Sequence, residues 1–146
     1  MPLNYLIKPS VETKFYIDYK WWDQSRDDLR IYLRTHLTPD QQHALEHANP
    51  GEVFDYVDPQ SGEVYQMDAL GLAIRESAAR ADFISGNIGL IDSVFRALLV
   101  NGNEPLNALE LAELTGRNAA TILKTIGGVR NYRGIRPHRS NDGLAG

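Results

Sequence analysis

The chain has 146 residues, 42% of them apolar and 23% charged, with a formal net charge of −4. That is chain and apolar content enough for one ordinary domain or two small lobes, and it excludes a disordered polymer. With no cysteine, no run near the ~18 apolar residues of a membrane span, and an opening MPLNYLIKPSVETKF that lacks a signal peptide's apolar core, the chain is expected to be cytoplasmic, away from membranes, and without disulfides or thiol chemistry.

Residues 1–13 carry Pro2 and Pro9 and no period, which predicts an extended arm. KFYIDYK at 14–20 alternates, with Phe15, Ile17 and Tyr19 on one side, as a half-buried strand does. Trp21 and Trp22 follow; adjacent tryptophans can stack on bases or on a ligand, and they are read here as core or interface anchors. Ser25 caps a predicted helix with Asp27 and Asp28 in its first turn. Its apolar face is Leu29, Tyr32, Leu33, His36 and Leu37. Arg26, Arg30 and Arg34 line another, solvated face.

Thr38-Pro39-Asp40-Gln41 opens a second helix with a capping-box spelling and proline at the first helical position. It is expected to stop at Asn49-Pro50-Gly51. EVFDYVD (52–58) and GEVYQM (62–67) alternate about Pro59-Gln60-Ser61-Gly62, which predicts a β-hairpin. Val53 with Tyr65, or Phe54 with Val64, are candidate cross-strand pairs. The hairpin is acidic and is therefore assigned to packing or protein contact. Asp68 caps a helix over 69–81. A break at 85–87 precedes the most apolar helix, 88–100, with Ile91, Val94, Phe95, Leu98 and Leu99 inward. Two short helices follow, 108–115 capped by Asn107 and 119–126 capped by Asn118, with Gly116 between them and Gly127-Gly128 after them.

The stretch PLNALELAELTGRNAATILKTIGGVRNYRGIRP (105–137) resembles the helix-turn-helix superfamily of DNA-binding domains, on Ala112, Gly116 and Ile122 and on the wording ELAELTGRNAATILKTI. Leu109, Leu111 and Ile126 complete its apolar set. It departs from the family at Arg117, where an aliphatic residue is common. The resemblance implies that Ala112 and Ile122 are buried, that the helices break at 116–118, and that the helix at 88–100 closes a three-helix unit. It makes 119–126 the recognition helix, from which Asn118, Ala119, Thr121 and Lys124 would project. Asparagine can read adenine, and threonine can bond bases or phosphate.

Charge points the same way without any family. Residues 1–102 hold nine basic and fifteen acidic side chains, whereas 117–139 hold six basic ones and no acid. Such a block is an electrostatic footprint for a polyanion. Arg117, Arg130, Arg133, Arg136 and Arg139 are the candidate phosphate or minor-groove contacts. VRNYRGIRP at 129–137 is either a basic arm or a small wing with Arg133-Gly134 at its tip. Residues 138–146 read as a mobile tail.

The expected architecture is thus mainly α with a small β element, an α+β lobe over 14–85 and a helix-turn-helix domain over 88–137. The expected function is DNA binding, as a transcriptional regulator or accessory factor, without enzymatic activity or cofactor. The partner is double-stranded DNA. A homodimer or protein partner engages through the N-terminal lobe, because the base-reading groups of one copy are few. An alternative of another class is an assembly module that uses the same fold without DNA. A distant third is a metal-dependent hydrolase, since HALEH places His43 and His47 on one helical face in the H-x-x-E-H spelling. That site lacks an evident third ligand, His36 being the nearest, so no metal is expected.

Overall fold

The computed structural model describes residues 8–85 and 87–139. The arm expected over 1–13 lies partly outside the described residues, as do Gly86 of the expected break and residues 140–146 of the tail. Seven helices and five strands among the described residues make a mixed α+β protein. The chain divides into two compact units: Arg26–Phe83, and the stretches on either side of it taken together. This differs from the linear division at residue 85, and the reason is the first strand.

In the unit built from both ends of the chain, β1 (Lys14–Ile17) is the central strand of a three-stranded antiparallel sheet. Its neighbours are β4 (Leu106–Asn107) and β5 (Ile135–Pro137). The alternation read from the sequence places Phe15 and Ile17 inward, both fully buried, and each contributes about 1.5–3 kcal/mol by leaving water. The strand stops at Ile17 rather than Lys20. The Asp18 carboxylate accepts the backbone N–H of Lys20 at 3.0 Å and so caps α1 (Tyr19–Gln24). Past the end of β4, the Asn103 side chain stands in for a strand partner. Its Oδ1 accepts the N–H of Ile17 at 2.7 Å and its Nδ2 donates to the Ile17 carbonyl at 2.9 Å.

Three helices complete this unit. The first is α5 (Leu90–Val100), which buries Val94, Phe95, Ala97 and Leu98. Next comes α6 (Ala108–Thr115), opened by a capping box in which Asn107 and Glu110 exchange hydrogen bonds. Gly116 ends α6 at φ 71°, the left-handed conformation that costs glycine nothing and leaves the carbonyl of Ala112 paired with its N–H. Asn118 then caps α7 (Ala119–Ile126), whose Ile122 and Ile126 are buried.

Burial on α6 differs from the expectation. Ala112 is only half-buried and Leu109 is 56% exposed, while Ala108 and Leu111 are fully buried. The pairing of β4 with β1 sets how α6 enters the unit, and the inner stripe becomes Ala108–Leu111.

The other unit, Arg26–Phe83, follows its local signals with shifts of a few residues. Asp28, not Ser25, caps α2 (Leu29–Arg34), accepting from Arg30 N–H at 2.8 Å. Tyr32, His36 and Leu37 are buried. The Thr38–Gln41 capping box forms and opens α3 (Pro39–Glu46). The hairpin pairs β2 (Phe54–Val57) with β3 (Val64–Met67) in the register Tyr56↔Tyr65 and Val57↔Val64, not either of the pairings expected. The loop decides this. Asp58 N–H donates to Glu63 C=O and Gly62 N–H to Asp58 C=O, both at 2.8 Å, which closes the loop one residue beyond each strand.

On one face of the hairpin the Arg75 guanidinium of α4 (Ala69–Ala78) lies 5.6 Å from the Tyr56 ring centre and 5.7 Å from that of Tyr65. Asp68 caps α4; the Gly71 N–H, and after it Arg30, hold its carboxyl below the ordinary carboxylate range. Helix α4 ends at Ala78 rather than 81.

Candidate nucleic-acid interface

Helix α7 turns Ile122 and Ile126 inward and leaves Asn118, Ala120, Thr121 and Lys124 exposed. Ala119, expected among the projecting residues, is half-buried, and Ala120 takes its place. The Asn118 Oδ1 accepts the Thr121 backbone N–H at 3.0 Å and is approached by the Thr121 hydroxyl at 3.4 Å. The Oδ1 that would accept from adenine is thus engaged in capping the helix.

Arg117 also turns away from the expected role. Its Nε donates to the Ser93 hydroxyl at 3.2 Å and its Nη2 to the Ile88 carbonyl. The guanidinium therefore ties the corner between α6 and α7 to the start of α5. The departure from an aliphatic residue at this position is filled by the stem and head of an arginine engaged in internal hydrogen bonds.

The basic segment after α7 is a built element rather than a loose arm. Arg133 and Gly134 have φ of 55° and 77°, the two positive values that a type I′ turn requires. The turn joins Tyr132 to Ile135, whose N–H donates to the Tyr132 carbonyl at 2.9 Å. It is pinned from the far end of the chain. Trp22 Nε1 donates to the Arg133 carbonyl at 3.0 Å, and Asp18 N–H donates to the Gly134 carbonyl at 2.8 Å. Asn131 Oδ1 accepts the Gly134 N–H at 2.9 Å.

Glycine is required at this tip twice over, by its φ and by space. A Cβ there would stand 2.9 Å from Trp22 Nε1 and 3.1 Å from the Asp18 carbonyl. Gly134→Ala is expected to cost about 1–2 kcal/mol in backbone strain alone, and more once Trp22 is displaced. A lower urea midpoint with red-shifted tryptophan emission checks it, and an unchanged midpoint would contradict the pin.

The cations of this segment are individually placed. Arg130 lies 5.0 Å over the Tyr132 ring. Arg136 Nη1 is 3.4 Å from Asp18 Oδ2, with half its side chain still exposed. Arg139 is exposed. The backbone of Arg133 is the anchored part of the tip. Between α1, the end of α7 and this segment lies a cleft of about 360 Å³, with Trp21, Ile126, Val129, Arg130, Ile135 and Arg136 among its walls.

Trp21, Trp22 and Asp18 were outside the expected site. The adjacent tryptophans were visible in the sequence, but nothing in their spacing ties them to a turn more than a hundred residues away.

The histidine pair behaves as surface chemistry. The His43 and His47 rings meet edge to face at 4.7 Å, and His43 is 3.8 Å from a Glu46 carboxylate oxygen while largely exposed. Among the described residues no group of three or more His, Cys, Asp or Glu is placed to hold a metal ion. His36 is buried instead against the Tyr32 ring at 4.6 Å. Among the described residues no helix is long and apolar enough to cross a membrane. No family model matches this chain, and no curated protein or solved structure matches it either.

Proposed function

We propose that the unit carrying α5–α7 binds double-stranded DNA as a helix-turn-helix, in transcriptional regulation or an accessory DNA transaction. The observation that carries this reading is the α6–Gly116–α7 corner followed at once by a hydrogen-bonded basic turn. Helix α7 offers Ala120, Thr121 and Lys124 outward, and after it Arg133 sits in a type I′ turn with Arg130 before and Arg136 after it in the chain. A major-groove helix with a basic flanking element is the division of labour that duplex recognition uses. Thr121 and Lys124 are the base-facing groups, and Arg130, Arg133 and Arg136 neutralise phosphates. Asn118 and Arg117 support them.

The test is fluorescence anisotropy of the intact protein with random-sequence duplex across salt concentrations. Three to four neutralised phosphates give a slope of about −3 to −4 in log affinity against log salt. No binding at low salt removes the proposal.

The assembly-module reading has one observation in its favour, located on the other unit. Val57 and Val64 are cross-strand partners on the hairpin and are 58% and 61% exposed. An exposed β-branched pair on a two-stranded sheet suits a protein contact, and such a contact is compatible with DNA binding by the unit that carries α7.

A further inference from the structure

The cleft beside α7 has apolar and aromatic walls that duplex binding does not use. Its volume of about 360 Å³ falls at the small end of the roughly 300–1,000 Å³ of ligand sites. Ile126 and Ile135, 3% and 2% exposed, give it an apolar wall. Trp21 supplies an aromatic wall, and its ring is held edge to face against Trp22 with centroids 5.0 Å apart. Since Trp22 is itself buried and bonded to the Arg133 carbonyl, Trp21 is oriented by the same pin that fixes the turn.

Arg130 and Arg136 stand in the lining as exposed cations, and among the described residues no acidic one lines the cleft. Asp18, outside the lining, partly offsets Arg136. Val129, wholly exposed, borders the opening.

An aromatic plane, an apolar wall and two rim cations match a flat heterocycle attached to anionic groups. We propose that this cleft receives one unpaired nucleobase of a DNA strand, stacked against Trp21, with the phosphates on either side held by Arg130 and Arg136. A base inside a duplex is covered on both faces and cannot enter. The occupant is therefore a nucleotide at a single-stranded end or one extruded from the helix. Stacking on an aromatic ring tolerates any base, so the site reads strand structure rather than sequence. The inference rests on the nucleic-acid reading above and adds to it a preference for duplex joined to single strand.

The test compares the intact protein's affinity for a blunt fluorescein-labelled duplex with that for the same duplex carrying a short thymidine overhang. The overhang is expected to tighten binding about 5- to 150-fold, the contribution of one stacked base. Trp21→Ala should abolish the preference and Trp21→Phe should keep most of it, with blunt-duplex affinity changed by less than about twofold in both, a difference of about 0.4 kcal/mol.

Thymidine monophosphate is the competitor for a free-nucleotide site. It carries one phosphate where the strand carries one on either side of the base, so it should displace the overhang poorly. If it binds as tightly as the overhang, the strand proposal is wrong. Should Trp21→Ala fail to fold, Trp21→Leu, which keeps an apolar side chain but has no ring to stack on, should lose the overhang preference, and its keeping that preference would overturn the proposal. A photocrosslink from 5-iodouracil in the overhang should map to Trp21, and its absence would also overturn the proposal. Equal affinity for both duplexes sinks the cleft inference and leaves duplex binding standing. Failure to bind either removes both.

Discussion

Phe15→Ala is expected to cost the unit carrying α5–α7 about 3–5 kcal/mol, the usual loss for a fully buried phenylalanine. Whole domains are stable by only about 5–15 kcal/mol, so this single change removes a large part of the margin. Phe15 lies on β1, with no exposed surface, between β4 and β5. Its removal leaves a cavity at the one strand that joins the N-terminal stretch to the three helices. Both tryptophans belong to this unit, so tryptophan emission during urea unfolding reports on it directly. A midpoint unchanged by the substitution would mean that β1 does not occupy the centre of the sheet in solution. The same logic implies that the linear segment 88–137, cut away from β1, lacks the strand that completes its sheet.

The triple change of Arg130, Arg133 and Arg136 to alanine is expected to weaken binding to every duplex alike. It should also flatten the salt slope by up to about 3, close to one unit for each phosphate that is no longer neutralised. Thr121→Ala should behave oppositely. It should leave the slope alone and lower discrimination between preferred and random sites, by roughly 1–3 kcal/mol if its hydroxyl reads a base.

Two controls follow from where the structure places the other candidates. Asn118→Ala removes a helix cap and should cost about 0.5–2 kcal/mol of stability. Arg117→Ala removes two internal hydrogen bonds, so its effect should also appear in unfolding and not in the salt slope. If the triple variant binds with wild-type affinity and slope, the basic turn does not touch DNA and the protein-assembly reading takes precedence.

Features set within about four residues were legible from the sequence alone. The Thr38–Gln41 capping box, the caps at Asp68, Asn107 and Asn118, and the glycine ending α6 are local hydrogen-bond or dihedral requirements written into adjacent side chains. The mixed α+β class and the basic block at 117–139 came from the same kind of information, helical and strand period and the distribution of charge.

Tertiary structure alone decided the rest. Periodicity predicts a strand over 14–20 but carries no signal about its partners, and those partners are 106–107 and 135–137. Charge in the turn between α6 and α7 points Arg117 to solvent, yet its long side chain returns to the Ser93 hydroxyl and the Ile88 carbonyl. The hairpin register was set by two loop hydrogen bonds. The basic segment is a hydrogen-bonded turn, and not an arm, because Trp22 and Asp18 bond to its backbone from more than a hundred residues away. Interactions at that separation are chosen by which buried donors and apolar faces must be satisfied together, and no local window of sequence contains both halves of the choice.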